Sequence, residues 1–316
     1  MPHRAPTAVT DRRYKQFDVA PIHSLRRFRR CATAAQRFLR SPVSSQLTRV
    51  LSDIHFGDRA SRVSRLAQLR PLFDGVAHLV LNGDTLDTRP GPRPAHTAEC
   101  RRAVSEFFPR EVATSTFLSG NHDADFTPLH HLDLSGGRVF TIHGDIFFDD
   151  IVPWSADAPL IGRRIAEELH ALPAELRHDL NHRLAVFRRV AASIPQRHQS
   201  EKHSLKYLFR YLADTAWPPT RVWRILRAWQ LTPQRAAELT RRHRPAARFV
   251  VAGHTHRPGV WPTAQGVTLI NTGSFCPPLG GTCVDLTDGQ LVVRRIDFRR
   301  GEFRPGEIMA TLKVSG

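Results

Sequence analysis

The stretch Val76-Ala-His-Leu-Val-Leu-Asn-Gly-Asp84-Thr-Leu-Asp87 decides the fold of this 316-residue chain. Its apolar run, Leu79-Val-Leu81, predicts a buried strand, and the Asn82-Gly83 pair that follows predicts a turn. The turn leaves the Asp84 carboxylate at the carboxyl end of a strand, where open α/β sheets usually carry their chemistry. A carboxylate has two oxygens, so this side chain can bridge two cations.

The same pattern, an apolar strand followed by a turn and then by Asp, Asn or His, recurs in four further stretches. A lone His or Asn at a strand end is more often an ordinary loop residue than a ligand. Five such ends in series, all drawn from the residue types that bind metals, favour a metal site. The four further strands are predicted at Gln46–Leu51, Val112–Leu118, Arg138–Ile142 and Phe249–Ala252.

Seven side chains at these strand ends are candidate metal ligands. Carboxylate, imidazole and amide groups without thiolate suit Mn, Fe, Zn or similar divalent ions rather than a structural zinc knot. Seven groups are too many for one tetrahedral ion, so the pattern predicts two ions that share Asp84, with Mn²⁺ expected first. Paired ions about 4 Å apart can clamp a phosphoryl group and generate hydroxide at neutral pH. The seven are Asp53, His55, Asp84, Asn121, His143, His254 and His256.

In this order the motifs resemble the five signatures of calcineurin-like metallophosphoesterases. The motifs are Asp53-x-His55, Gly83-Asp84-x-x-Asp87, Gly120-Asn-His-Asp123, His143 and Gly253-His-x-His256. The resemblance covers about Leu47–Asp150 and Phe249–Phe298. It implies an α/β fold of four layers, an αββα sandwich in which two mixed sheets pack together with helices outside, here with a helical cap insertion.

The resemblance also implies roles for the individual side chains. Asp53, His55 and His256 would bind one ion, Asn121, His143 and His254 the other, and Asp84 would bridge them. His122 would protonate the leaving oxygen or stabilise the transition state, and Asp123 would orient it. Asp87 lies beyond the turn and is expected to support the ligands without binding metal itself.

A closer likeness is to the bacterial UDP-2,3-diacylglucosamine pyrophosphatases of lipid A synthesis. It is carried by His143-Gly-Asp145, by the acidic pair Asp149-Asp150 and by the Gly-His-Thr-His-Arg-Pro run at Gly253–Pro258. That family commonly has Arg where this chain has His122. The likeness implies hydrolysis of a phosphate ester or pyrophosphate, with a lipid-linked UDP-sugar as the most attractive substrate. Contacts to its head group are expected from Asp150, Lys202 and Lys206.

The net charge of +17 is concentrated in two segments. Residues 1–46 contain ten Lys/Arg against two Asp/Glu, and residues 151–245 contain 17 against eight, whereas the remainder is balanced. We interpret 1–46 as a basic, partly helical arm and 151–245 as a basic helical cap that selects the substrate. The metal-binding core would then be 47–150 and 246–316. Basic segments suggest anionic partners, and the arm could lie on an anionic membrane surface or pack on the protein itself.

Smaller elements are predicted from periodicity. Helices are expected at about Arg59–Pro71 and Ala98–Phe107, and further helices in the insertion, with its prolines near helix ends. Strands are expected at Gly266–Asn271 and at Thr282–Phe298, the latter interrupted by a turn at Thr287-Asp-Gly289. The tail from Arg299 shows no pattern.

Composition excludes some classes of protein and leaves others open. No apolar run approaches the ~20 residues that span a bilayer, and the N-terminus lacks the apolar core of a signal peptide. The four cysteines form no CxxC pair, which favours reduced thiols and a cytoplasmic protein. Two alternatives to the phosphoesterase remain: a nuclease, suggested only by basicity, and a non-catalytic scaffold. Degenerate scaffolds normally lose ligands, and none of the seven is missing here.

Overall fold

The quoted stretch forms a strand between two parallel partners, as its apolar run predicts. The computed structural model describes residues 46–196 and 219–314. All but the last residue of the predicted arm 1–46 and the predicted contacts Lys202 and Lys206 therefore lie outside the described residues. In chain order the strands are β1 (Leu47–Leu51), β2 (Val76–Asn82), β3 (Thr114–Leu118), β4 (His131–Leu134), β5 (Val139–Ile142), β6 (Phe249–Ala252), β7 (Gly259–Pro262), β8 (Thr268–Asn271), β9 (Thr282–Thr287), β10 (Gln290–Arg299) and β11 (Glu302–Lys313).

The strands form two mixed sheets. The first has the order β11-β10-β9-β1-β2-β3, in which β1, β2 and β3 are parallel and β9 to β11 are antiparallel. The second has the order β4-β5-β6-β8-β7, with β5, β6 and β8 parallel and the two edge strands antiparallel. Since the carboxyl ends of parallel strands meet at one edge, each sheet brings its own motifs together.

Four α-helices of the described residues cover the sheets: α1 (Pro94–Glu111), α2 (Ala158–Ala171), α3 (Leu180–Ala192) and α4 (Pro219–His243). Three apolar cores separate the layers. Val80 of β2 and Val251 of β6 meet in the core between the sheets. Phe108 of α1 packs on the outer face of the first sheet, and Phe187 of α3 on that of the second. The four-layer sandwich predicted from the resemblance is confirmed.

The described parts of the insertion form the outer helical layer of the second sheet. Ile161 and Ile165 of α2, Leu184 of α3 and Ala236 of α4 share one buried core with Phe140 of β5. Ser45–Gly316 form a single compact unit. The division into an arm, a core and a substrate-selecting cap stays a prediction, but these helices also bury the apolar face of a sheet.

Several predicted elements differ from those observed. In place of a helix over Arg59–Pro71 there is a short 3₁₀ helix, Leu66–Leu72, whose start is capped by the side chain of Gln68, which accepts hydrogen bonds from the Ser64 and Arg65 amides. Pro233 does not end a helix but lies inside α4. The carbonyl of Trp229, which Pro233 cannot bond, instead lies 3.4 Å from Nη1 of Arg257.

Three strands were not predicted. Two of them, β4 and β7, have only four residues each. The third, β11, occupies the tail in which no pattern was found, and it contains Pro305 and Gly306. Proline is tolerated there because β11 is an edge strand. Among the described residues, no helix is long and apolar enough to cross a membrane, and Cys100, Cys276 and Cys283 are buried free thiols.

Candidate metal centre

The predicted ligands lie at the carboxyl ends of five parallel strands, and the backbone there is unusual. Asp53, His55, Asp84, His254 and His256 all have positive φ, between 49° and 65°. Asp53 and His55 are both left-handed, so the segment that carries them is not extended. Non-glycine residues in such conformations are strained and cluster at functional sites. Here the strain turns successive side chains towards a single point.

Hydrogen bonds and close backbone approach fix these turns. The amides of Asp53 and His55 donate to the carbonyls of Gly83 and Asp84, at 3.1 and 2.9 Å. A Cβ on Gly120 would overlap the Asp84 carboxylate, and one on Gly253 would overlap that of Asp53. The glycines of the motifs are therefore required because the carboxylates pass directly over the neighbouring backbone.

One group of possible ligand atoms comprises Asp53, His55 and His256. The Nε2 atoms of the two imidazoles are 3.2 Å apart. Oδ1 of Asp53 lies 3.1 Å from Nε2 of His256 and 3.8 Å from Nε2 of His55. Asp53 and His55 are buried, whereas the side chain of His256 is 36% exposed, so this group is the one nearer to solvent.

The second group comprises Asp84, His143 and His254, all buried. Nε2 of His143 lies 3.3 Å from Oδ2 of Asp84 and 3.2 Å from Oδ1 of Asn121. The same Oδ2 of Asp84 lies 3.8 Å from Nε2 of His55, in the first group. The structure thus places all seven predicted ligands in one cluster, with the Asp84 carboxylate between its two parts.

Backbone carbonyls fix which imidazole nitrogen faces the cluster. Nδ1 of His143 lies 3.0 Å from the Asn82 carbonyl, and Nε2 of His254 lies 2.8 Å from that of Ile151. A nitrogen that donates to a carbonyl carries the proton, so the other nitrogen of each ring presents a lone pair. His143 therefore offers Nε2, and His254 offers Nδ1.

The electrostatics of the cluster attract positive charge. Burial lowers the pKa of His55, but the Asp53 and Asp84 carboxylates outweigh it and raise that pKa to about 9. In His143 burial is likewise outweighed, chiefly by Asp84, and the pKa rises to about 10. Burial and the charge of His143 lower the pKa of His254 to about 4. Although burial opposes it, the imidazoles keep the pKa of Asp53 and of Asp84 below the usual range.

His122 lies at the edge of this cluster. Its ring centroid is 4.8 Å from that of His55, and it forms a further group with His55 and Asp84. Nδ1 of His122 lies 3.0 Å from Oδ2 of Asp87 and 2.8 Å from Nη2 of Arg89. Burial and the Arg89 charge lower the pKa of His122, which favours the neutral imidazole. When Nδ1 accepts from Arg89, the proton of that neutral ring is on Nε2.

Asp123 does not orient His122, contrary to our expectation. Its carboxylate accepts hydrogen bonds from the amides of Gly120, Asp84 and Thr85, at 2.6, 3.1 and 2.7 Å. These three hydrogen bonds connect the end of β3 to the end of β2. Burial and the Asp84 carboxylate raise the pKa of Asp123 to about 6. Asp87 and Arg89 contact the His122 ring instead.

Asp150, predicted to contact substrate, is half-buried and belongs to none of the ligand groups found among the described residues. Burial and the neighbouring Asp149 raise the pKa of its carboxyl group. It precedes Ile151, whose carbonyl accepts from His254. Asp150 is thus next in sequence to a residue that contacts His254 of the cluster. Its role in substrate binding stays a prediction.

Arg188 of α3 was missed by the sequence analysis. It is buried, donates to Oγ of Ser119 at 2.8 Å and forms a two-pronged ion pair with Asp145 of the His143-Gly-Asp145 motif. The pairing of Asp145 with a distant arginine leaves no local signal, because the two residues are 43 positions apart. Arg188 connects the helical layer to the strand ends that carry the ligands.

The donor set fits two divalent ions. Buried carboxylates, imidazoles with oriented lone pairs and an amide oxygen converge without any thiolate, which suits borderline and hard divalent cations. Two groups that share a carboxylate are the arrangement expected for a dinuclear site. The raised pKa values of His55 and His143 show that the cluster retains protons where cations are lacking.

Comparison with known proteins agrees with this geometry. Residues 47–287 match the model of the calcineurin-like phosphoesterase superfamily domain, while no curated protein matches the chain. Among solved structures, similarity extends to a dimetal phosphatase from Danio rerio, with 13% identity, a TM-score of 0.40 and coverage of 85% of this chain and 99% of that one. Vacuolar protein sorting 29 from Cryptosporidium parvum has 11% identity, a TM-score of 0.39 and coverage of 85% and 98%. Because the family model matches well over half of the sequence, this chain belongs to the calcineurin-like phosphoesterase superfamily.

Proposed function

We propose that this protein is a metal-dependent hydrolase of phosphate esters or pyrophosphates. The observation that carries the proposal is the convergence of the two ligand groups, in which the Asp84 carboxylate of one lies 3.8 Å from His55 of the other, with the imidazole of His122 beside them. Asp53, His55 and His256 would bind one ion, and Asn121, His143 and His254 the other. When bound, the ions supply Lewis-acid stabilisation of phosphoryl oxygens and lower the pKa of water.

The chain's own residues supply the positions and the proton. The Asp123 carboxylate accepts a hydrogen bond from the amide of Asp84 and so holds the turn at that residue. The Asp84 carboxylate accepts a hydrogen bond from the amide of His122 at 2.8 Å. His122 is therefore aligned both through its backbone and through its ring. With Nδ1 paired to Arg89, Nε2–H donates a proton or a hydrogen bond to the departing oxygen. The 24% exposure of the His122 side chain leaves room for a substrate to reach it.

A lipid-linked nucleotide diphosphate sugar is our finer proposal for the substrate. Its support is the basic insertion and an exposed apolar surface on α4. Val222, Trp223 and Leu226 are 38%, 64% and 51% exposed there, next to Arg224 and Arg227. Apolar and cationic groups side by side suit an amphiphile with an anionic head.

We also propose that Mn²⁺ is the resident metal, that the protein is cytoplasmic and that it makes peripheral contact with anionic membranes. The membrane contact would use the basic residues of 1–46. Co-sedimentation with vesicles of anionic and of neutral phospholipid, before and after deletion of 1–46, tests it. Equal co-sedimentation of the full-length and truncated proteins would exclude the arm as the membrane contact.

The hydrolase proposal is tested by turnover of p-nitrophenyl phosphate, bis-p-nitrophenyl phosphate and UDP-glucose. The full-length protein is first stripped with a chelator and then reloaded separately with Mn²⁺, Zn²⁺ or Fe²⁺. We expect activity only after reloading, with about two ions bound per chain at saturation. A protein that binds both ions but hydrolyses none of these compounds would contradict the proposal.

A further inference from the structure

A narrow cleft lies beside His122. Its cavity volume is about 30 Å³, enough for roughly two water-sized groups such as hydroxyls, and it opens to solvent. His122 lines it together with Phe56, Asp58, Arg89, His96 and Gln196. Since His122 is the proposed proton donor, a group in this cleft lies next to the departing oxygen.

Gln196 has one hydrogen-bonding atom without a partner. The residue is only 7% exposed, its amide donates to the Pro90 carbonyl at 2.7 Å, and Nε2 donates to the Asp87 carbonyl at 3.0 Å. Its Oε1 is buried and accepts no hydrogen bond from the described residues. A buried acceptor is costly to leave unpaired, so this atom points to a ligand that donates a hydrogen bond.

The charges of the cleft favour a neutral ligand. Two carboxylates, Asp58 and Asp87, line it against one guanidinium, that of Arg89. Arg89 bonds Asp87 through Nε and Nη2, and its Nη1 takes part in none of the hydrogen bonds seen in the described chain. Besides Nε2 of His122, the proposed proton donor, Nη1 of Arg89 is a donor that the described hydrogen bonds leave available, and these three charged groups give no excess positive charge. A phosphate would meet two carboxylates there, and an alkyl chain would leave Oε1 of Gln196 unpaired.

We propose that this cleft receives a hydroxyl group of the leaving group, which is therefore a hydroxyl-bearing alcohol such as a sugar or another polyol. The inference rests on the proposed hydrolase function and narrows its substrate class to phosphate esters of such alcohols, because the leaving group of a pyrophosphate is itself a phosphate. A hydroxyl of the ligand donates to Oε1 of Gln196, and Nη1 of Arg89 donates to a hydroxyl oxygen. The half-buried ring of Phe56 packs against the carbon face of the ligand. Any apolar tail of the substrate lies outside the cleft.

Glycerol 1-phosphate and propyl phosphate test the proposal, because they differ only in two hydroxyl groups. Their kcat/KM values are compared in the metal-loaded, full-length protein and in its Gln196→Met variant. We expect the wild type to prefer glycerol 1-phosphate and this preference to fall about 3- to 10-fold in the variant, mainly through KM. An unchanged preference would mean that Gln196 does not contact the hydroxyl groups of the ester and would overturn the proposal.

Gln68→Met is a matched control. Gln68 is also 7% exposed, but its Oε1 accepts from the Ser64 and Arg65 amides and its Nε2 donates to the Gly301 carbonyl. This variant should keep the preference for glycerol 1-phosphate. It should also lose more thermal stability than Gln196→Met, which removes an unpaired acceptor together with one donor.

The contact between Gln196 and the Asp87 carbonyl requires a second comparison. If Gln196 only positioned Asp87 and His122, its substitution would lower kcat equally for both esters and leave their ratio unchanged. If the wild type hydrolysed neither these esters nor p-nitrophenyl phosphate, the hydrolase proposal would fail. Calorimetric binding of the two esters to the metal-loaded protein would still test the cleft. Tighter binding of glycerol 1-phosphate than of propyl phosphate that depends on Gln196 would support the cleft proposal. Equal affinities for the two esters would overturn it.

Discussion

At the scale of single residues, a comparison of Asp84 with Asp87 distinguishes a residue that binds metal from a neighbouring carboxylate that does not. Asp84 belongs to two of the three ligand groups among the described residues, whereas Asp87 belongs to none. We expect Asp84→Ala to lose both ions and Asp87→Ala to retain both, because the Asp84 carboxylate belongs to the group of His143 and His254 and lies 3.8 Å from His55 of the other group. Metal analysis of the purified variants by mass spectrometry measures this. Full occupancy in Asp84→Ala would contradict the bridging assignment.

His122 is predicted to act on the leaving group rather than on the metals. His122→Ala should keep its ions yet lose turnover, by roughly the 10²–10⁴-fold typical of a general acid. The loss should be smaller for p-nitrophenyl phosphate than for an alkyl ester, because a good leaving group needs little protonation. Steady-state kinetics over phenyl esters of increasing leaving-group pKa measures the trend. Equal losses across the series would favour electrostatic stabilisation over proton donation.

The ligand residues could be predicted from the sequence because each follows a recognisable strand. Residues that act through long-range contacts could not be predicted in this way. Arg89 lies in a proline-rich loop, and nothing near it in sequence shows that its guanidinium contacts His122, 33 positions away. Gln196 follows α3, and its contact with the carbonyl of Asp87 joins residues 109 positions apart. The family resemblance assigned Asp123 to orient His122, but its carboxylate accepts from backbone amides instead.

At the scale of the elements, Arg188 of α3 is predicted to stabilise the contact between the helical layer and the sheet. Arg188→Met would leave Asp145, which is completely buried, without its cation. Removal of one partner of a buried pair typically destabilises a protein by about 3–5 kcal/mol. Urea unfolding of the metal-free variant measures the loss. Adding Asp145→Asn should recover part of it, because the uncompensated charge is then removed.

Arg189 of the same helix provides the control for Arg188. It pairs with Glu168 on the surface, where the two side chains are 56% and 38% exposed. Exposed pairs contribute about 0–1 kcal/mol, so Arg189→Met should change the unfolding free energy little. An equal effect of the two substitutions would mean that the Arg188–Asp145 pair does not stabilise the fold.

Elements were predictable from the sequence where burial makes a strong pattern. The parallel strands β5 and β6 are fully buried and nearly wholly apolar, so they were found within a residue of their bounds. The edge strand β11 is mostly exposed, and its polar residues and Pro305 conceal it. Pro233 misled the prediction because a tertiary contact, that of Arg257 with the Trp229 carbonyl, replaces part of what the proline removes from α4.

At the scale of the whole molecule, the buried histidines predict how stability depends on pH. In the metal-free protein the folded pKa values of His55 and His143, about 9 and about 10, exceed the ordinary value of 6.5. Their stabilising contribution is fully present below pH 6.5 and is lost as the pH rises through 9 and 10. His254 and His130 behave oppositely, since their pKa values are lowered to about 4 and about 3, chiefly by burial.

These opposite shifts give the metal-free protein a stability maximum near pH 6.5. Below it, the unfolded chain binds protons at the positions of His254 and His130 that the folded protein does not, so stability falls as the pH falls. Asp123, with its pKa raised to about 6, opposes this loss by one proton between about pH 4 and 6. Above pH 6.5 the folded protein retains the protons of His55 and His143, so stability falls as the pH rises.

Bound metal should abolish the alkaline half of this profile. Cations replace the protons of His55 and His143, so metal binding at pH 7 should release up to two protons per chain. The affinity for the metal should increase as the pH rises towards 9. Urea unfolding from pH 5 to 9.5, with and without chelator, should therefore show a declining alkaline limb only in the chelated protein. Titration calorimetry in buffers of different ionisation enthalpy counts the protons released. If the chelated protein gained stability between pH 7 and 9, or if metal bound without proton release, the two imidazoles would not carry the charge that the cations replace.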